Sequence, residues 1–167
     1  MIAPVPSQDI HAGREAFQRD LARALRDSTL TDKGWIKAND LTLFVPFFAE
    51  SPEGRADLYL LRLVFDHYPG GPPSAQFVNP LTLTYSYPQD ACWVPRSEGA
   101  NHIHFHPNYN SSGGQLICSS TTLEFYKVNH DVAAENVWNP DRMNFMSTLT
   151  AIRSGLSSQY YRGRGEQ

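Results

Sequence analysis

Apolar positions first recur at helical spacing near the N-terminus. From Gln8 to Asp27, behind Pro6 and Ser7, Ile10, Phe17, Leu21, Ala24 and Leu25 fall on one stripe, while Arg19, Arg23 and Arg26 gather on the opposite side. One face packs and the other is basic. The pattern then changes to dense runs of leucine, β-branched and aromatic residues, Leu41–Phe48 and Asp57–Phe65, separated by the turn residues Ser51-Pro-Glu-Gly54. These predict an antiparallel hairpin, with a weaker strand ahead of it at Trp35–Ala38. The Tyr68-Pro-Gly-Gly-Pro-Pro73 run forces a turn, after which Ser74–Val78 adds a further strand.

From Asn79 to Asn101 the pattern gives way to Pro, Ser, Asp and isolated aromatics, an irregular insertion with room for a short strand at Leu81–Tyr85. Asn139 as cap and Pro140 at the first helical position mark a last helix, on which Phe145, Leu149, Ile152 and Leu156 share a face. Residues 157–167 lack periodicity and read as a flexible tail. Strands grouped between terminal helices predict an α+β domain over residues 1–156, built on a four-stranded antiparallel meander.

Composition narrows the chemistry. The 167 residues are 41% hydrophobic, which argues against disorder, and the net charge of -3 has the wrong sign for a general nucleic-acid binder. No apolar N-terminal stretch of signal-peptide or membrane-spanning length occurs, so the expected setting is cytoplasmic, with no membrane partner. There the two cysteines, Cys92 and Cys118, would remain thiols. Cys92, beside Trp93, reads as packing.

Cys118 has more promising neighbours. It follows a Gly-rich turn, and His106-Pro107-Asn108 precedes that turn. A thiol near an amide held by a rigid proline is equipment for making and breaking a thioester. Two other chemistries compete. His102, His104 and His106 alternate and would share one face of a strand, a set that could hold zinc with Cys118 or His130 as fourth ligand. Cys118, a histidine and Asn108 also match the residue types of a papain-like hydrolase, although no protease signature surrounds them.

Taken in order, the Phe65-Asp-His-Tyr-Pro-Gly-Gly-Pro-Pro73 run with Phe77, then His106-Pro107-Asn108, Cys118, Trp138-Asn-Pro140 and a closing helix resemble the ubiquitin-conjugating enzymes. The resemblance spans roughly residues 8 to 156 and implies the fold of that family: N-terminal helix, meander, active-site loop region and C-terminal helix. It implies that Cys118 accepts a ubiquitin-like modifier from an activating enzyme and passes it to a target protein, without a cofactor or metal. Asn108 would stabilise the oxyanion or order the loop, His106 and Pro107 would fix that loop, and Arg19, Arg23 and Arg26 would dock the activating enzyme.

The spacings from Asn108 to Cys118 and from Cys118 to Trp138 are longer than in typical members, and no Asp follows the last helix. The acid that assists the acceptor would then come from Asp131, Glu135 or Asp141, or be replaced by Ser157, Ser158 or Tyr160. Such irregular versions resemble bacterial relatives that accompany a ThiF-like activating enzyme, a ubiquitin-like protein and a JAB-type metalloprotease, often in antiphage defence. The alternative within the same fold is a catalytically silent binding module.

Overall fold

The computed structural model describes residues 1–109 and 114–165. Its first helix, α1 (Ile10–Ala24), is shorter than the periodicity predicts because Asp9 caps it, accepting a hydrogen bond from the Ala12 N–H at 3.0 Å. Ile10 consequently sits at the exposed end, and the buried stripe is Gly13, Ala16, Phe17, Asp20 and Leu21. Phe17 stacks on Phe65 with ring centroids 3.9 Å apart. Gly13 is required where it stands, since a Cβ there would lie 2.0 Å from the Phe65 carbonyl oxygen. A short helix α2 (Leu30–Lys33) leads into the sheet.

β1 (Ile36–Asn39), β2 (Thr42–Glu50), β3 (Ala56–Val64) and β4 (Ser74–Val78) form a four-stranded antiparallel meander in sequence order. Leu43, Val45, Phe47 and Ala49 of β2 alternate into the core beside Tyr59, Leu61 and Leu63 of β3. The outward positions include Phe48 and Leu58, which are paired and exposed.

Beyond β4 the expectations need correcting. Leu81–Tyr85 is not a strand: Asn79 turns the chain through hydrogen bonds with the Leu81 and Leu83 N–H groups, and Leu81 is exposed. The insertion's strand is instead β5 (Pro95–Ser97). It pairs with β8 (Tyr161–Arg164), inside the segment expected to be a flexible tail. Tyr161 is fully buried, its hydroxyl 2.5 Å from both the Tyr59 hydroxyl and Asp57, and Arg164 ion-pairs with Asp57 at 3.0 Å. Four residues are too few for periodicity to reveal. Residues 166 and 167 of the expected tail lie outside the described residues.

β6 (His104–Tyr109) and β7 (Gly114–Cys118) form a separate hairpin, followed by α3 (Leu123–Lys127) and, after an irregular stretch, α4 (Phe145–Gly155). The start of α4 also differs from expectation. Asn139 makes a turn, accepting from the Asp141 N–H, and Asn144 caps the helix in a capping box with Ser147. Both asparagines can cap, and only the second is followed by uninterrupted helix. Phe145, Leu149, Ile152 and Leu156 are buried as predicted. The chain is therefore α+β with a four-stranded antiparallel sheet. Among the described residues no helix is long and apolar enough to cross a membrane.

Candidate functional site

Cys118 is the last residue of β7, half-buried, at the centre of a tight turn in which the Ser119 N–H donates to the Ile117 carbonyl at 3.0 Å. Its cross-strand partner on β6 is His104. Side chains opposite each other in an antiparallel pair share a face, so Cys118 and His104 stand on the same side, while Phe105 on the other side packs edge-on to Phe77 at 5.7 Å. Both open onto a groove of about 460 Å³ whose walls include His102, Ser119, Asp131 and Asn136. Burial pushes the Cys118 thiol above its ordinary pKa, because the partly enclosed thiolate loses solvation.

Three long-range ties hold this groove to the scaffold. The Gln115 side chain bonds both backbone groups of Phe77, accepting from its N–H at 2.7 Å and donating to its C=O at 2.9 Å, so β7 is fastened to the free edge of β4. Glu124, partly exposed as a residue, has its carboxyl group enclosed, where it accepts from Ser74 Oγ and, at 3.1 Å, from the Ala75 N–H. Loss of solvation pushes that carboxyl's pKa up. The third tie joins three motifs. Trp138 Nε1 donates to the Pro69 carbonyl at 2.8 Å, the Trp138 N–H donates to the Tyr126 hydroxyl at 2.9 Å, and that hydroxyl donates to the Ser120 carbonyl at 2.9 Å. The Tyr-Pro turn, the Trp-Asn-Pro segment and the loop after Cys118 are thereby locked together.

No family model, no curated protein and no solved structure matches this chain. Its site is therefore read from its own geometry.

The remaining residues singled out by sequence fall into distinct places. His106 pairs with Leu116, and a register irregularity then separates it from the Tyr109–Gly114 pair. Asn108 sits in that irregularity, four residues along β6 from His104, the position opposite Cys118, which is roughly 13 Å along the hairpin. Pro107 is anchored by the Tyr85 hydroxyl, which donates to its carbonyl at 2.5 Å. Tyr85 thus gives the irregular insertion a purpose that no local pattern signals. The Gly-rich turn expected before Cys118 falls largely on residues 110–113, outside the described residues.

The histidines do not assemble as a metal site. His104 and His106 lie 6.3 Å apart by ring centroid, His102 turns toward Tyr160, and His130 stacks on Phe125 at 5.0 Å. Burial, with the nearby His104 and His130, holds the His106 pKa below its usual value. Among the described residues no three His, Cys, Asp or Glu side chains converge as a group able to hold a metal ion.

Arg19 and Arg23 straddle the buried Asp20 at 3.1 and 3.7 Å, and Arg26 lies in the turn beyond α1. Asp20 itself accepts a hydrogen bond from the Tyr68 hydroxyl, so two of the arginines screen a buried carboxylate while their own side chains stay half-exposed. Of the acids considered for assisting the acceptor, Asp131 lines the groove; Asp141 lies instead beside Arg19 and Arg23. Tyr160 reaches the groove's edge only through His102. Cys92 is not among the residues lining this groove; it lies in a short 3-10 turn, and its carbonyl accepts from Arg164.

Proposed function

We propose that the chain is a carrier of a ubiquitin-like modifier, built as a divergent, bacterial-type version of the ubiquitin-conjugating fold, with Cys118 as the acceptor of the modifier's carboxyl group. The observation that carries this reading is the Trp138–Tyr126–Ser120 tie. It joins the segments on which the family resemblance rests and fixes the loop that leaves Cys118 at the rim of an open groove. A half-buried thiol there can take an acyl group, and the groove leaves one side of the thioester open to a nucleophile.

Thioester exchange is nearly isoenergetic, so the chain's task is positioning. His106, Pro107 and Asn108 shape the hairpin's far end. Of the two roles considered for Asn108, ordering the loop fits the register better than direct contact with an oxyanion at Cys118. Arg19, Arg23 and Arg26 offer a basic surface to a ThiF-like activating enzyme, and the raised thiol pKa speaks against the papain-like alternative, in which an imidazolium partner lowers it. Antiphage defence is the setting that the bacterial resemblance implies.

Incubation with a ThiF-like activating enzyme, its ubiquitin-like modifier and ATP should give a reductant-labile adduct. Cys118→Ala should abolish it, Cys118→Ser should convert it to a reductant-stable ester, and Cys92→Ser should leave it unchanged. An adduct that persists in Cys118→Ala and vanishes in Cys92→Ser would overturn the assignment of the thiol. No adduct in any form would leave the silent binding module as the better reading.

A further inference from the structure

We propose that His104 is the catalytic base of acyl transfer at Cys118, taking the proton from the acceptor amine as that amine attacks the thioester. The inference rests on the carrier reading above and adds a residue that the sequence considered only as a zinc ligand. Its basis is the strand register. His104 is the direct cross-strand partner of Cys118, so their Cβ atoms stand about 5 Å apart on one face. The imidazole is exposed and lines the same groove as the thiol, where an incoming amine must pass.

The groups facing His104 distinguish it from its neighbours. Cys118 faces it from β7, His106 along its own strand at 6.3 Å, and His102 and Asp131 from the groove walls. His106 stands two pairs further from the thiol, opposite Leu116, and is half-buried against Tyr109 at 5.3 Å. Asp131 comes from the loop after α3 and is the one carboxylate lining the groove among the described residues.

The step balances without an outside reagent. The neutral amine nitrogen bonds to the thioester carbonyl carbon, and the proton on the now-cationic nitrogen moves to the His104 imidazole. The C–S bond breaks with its electron pair leaving on Cys118 Sγ. The imidazolium then returns the proton to that thiolate, giving an amide and a free thiol. The burial that pushes the Cys118 pKa up favours this return.

The test uses the full chain carrying Cys92→Ser, acetylated on Cys118 with phenyl thioacetate. Discharge to glycinamide is followed by intact mass across pH, with rates corrected for the free-amine fraction. The parent should show a limb in which the rate rises as a general base becomes available. His104→Gln should remove that limb and slow discharge on the order of 100-fold. Imidazole added to His104→Ala should restore the rate, while iodoacetamide alkylation of Cys118 stays unchanged in both variants.

Parent-like discharge with the limb intact in His104→Gln overturns the proposal, as does loss of the limb in Asp131→Asn instead. The acetyl probe needs neither modifier nor activating enzyme. Failure here therefore leaves the carrier reading to its own adduct test, and failure of that test is read separately from acetyl transfer.

Discussion

The meander of β1 to β4 and the hairpin of β6 and β7 are both antiparallel and both bury apolar residues in the core, yet the hairpin's placement also leans on directed polar ties. In the meander, nine consecutive register pairs join β2 to β3, and the inward side chains Leu43, Val45, Phe47 and Ala49 of β2 and Tyr59, Leu61 and Leu63 of β3 are buried in the core. In the hairpin, the register breaks between His106 and Tyr109, and the outward face carries histidines and Cys118. Ile117 and Phe105 pack into the core from its inner face, and polar ties add to this attachment: Gln115 to the Phe77 backbone directly, with Glu124 and Trp138 fixing the helix and loops that follow it. Apolar burial builds a scaffold indifferent to detail. Directed hydrogen bonds position a face whose polar groups cannot be buried.

The contrast is broken most severely from the meander side. Phe65 follows β3, is fully buried, and touches Phe17, Tyr68 and Phe145. Phe65→Ala should cost about 3–5 kcal/mol of unfolding free energy, since it removes a stacked ring and leaves a cavity between α1 and α4. Denaturant unfolding would measure this, and a loss below about 1 kcal/mol would mean that the core closes over the gap.

A smaller and more local effect should come from the hairpin side. Gln115→Ala leaves the Phe77 N–H and C=O without their partner, at about 1–3 kcal/mol for each buried group left unsatisfied. Hydrogen exchange should show protection lost in β6 and β7 while β2 and β3 keep theirs. Equal loss of protection in both sheets would show that the two regions unfold as one unit, and the comparison would fail.

The same division explains what could be read from sequence. β2, β3, β4 and the buried face of α4 announced themselves through composition and spacing because burial repeats with the period of the element. Cys118 was legible as a thiol of interest, and its neighbours in the chain were named. What could not be read was contact across the fold. His104 opposite Cys118 depends on register, Tyr85 beneath Pro107 on an irregular insertion, and Tyr126 between Trp138 and Ser120 on three separated segments. β8 was missed for a related reason: Tyr161 is buried through hydroxyl contacts to Asp57 and Tyr59, and a single aromatic among Ser, Gln, Arg and Gly carries no periodic signal.

The finest distinction between the two regions lies in the thiol itself. A cysteine activated by a neighbouring cation has a depressed pKa and alkylates fastest at or below neutral pH, whereas Cys118 is shifted upward by burial. The sign follows from the charged form: enclosure disfavours the thiolate, so at any given pH less of it is present than in an open peptide. Iodoacetamide should therefore modify Cys118 in the Cys92→Ser protein more slowly at pH 7 than it modifies an unstructured cysteine peptide. The rate should keep rising tenfold per pH unit beyond the peptide's own midpoint of about 8.5. A plateau reached below that midpoint would reveal a thiolate–imidazolium pair with His104. Cys118 would then be a pre-ionised nucleophile of the hydrolase kind, and His104 would act on the thiol before transfer rather than on the acceptor during it.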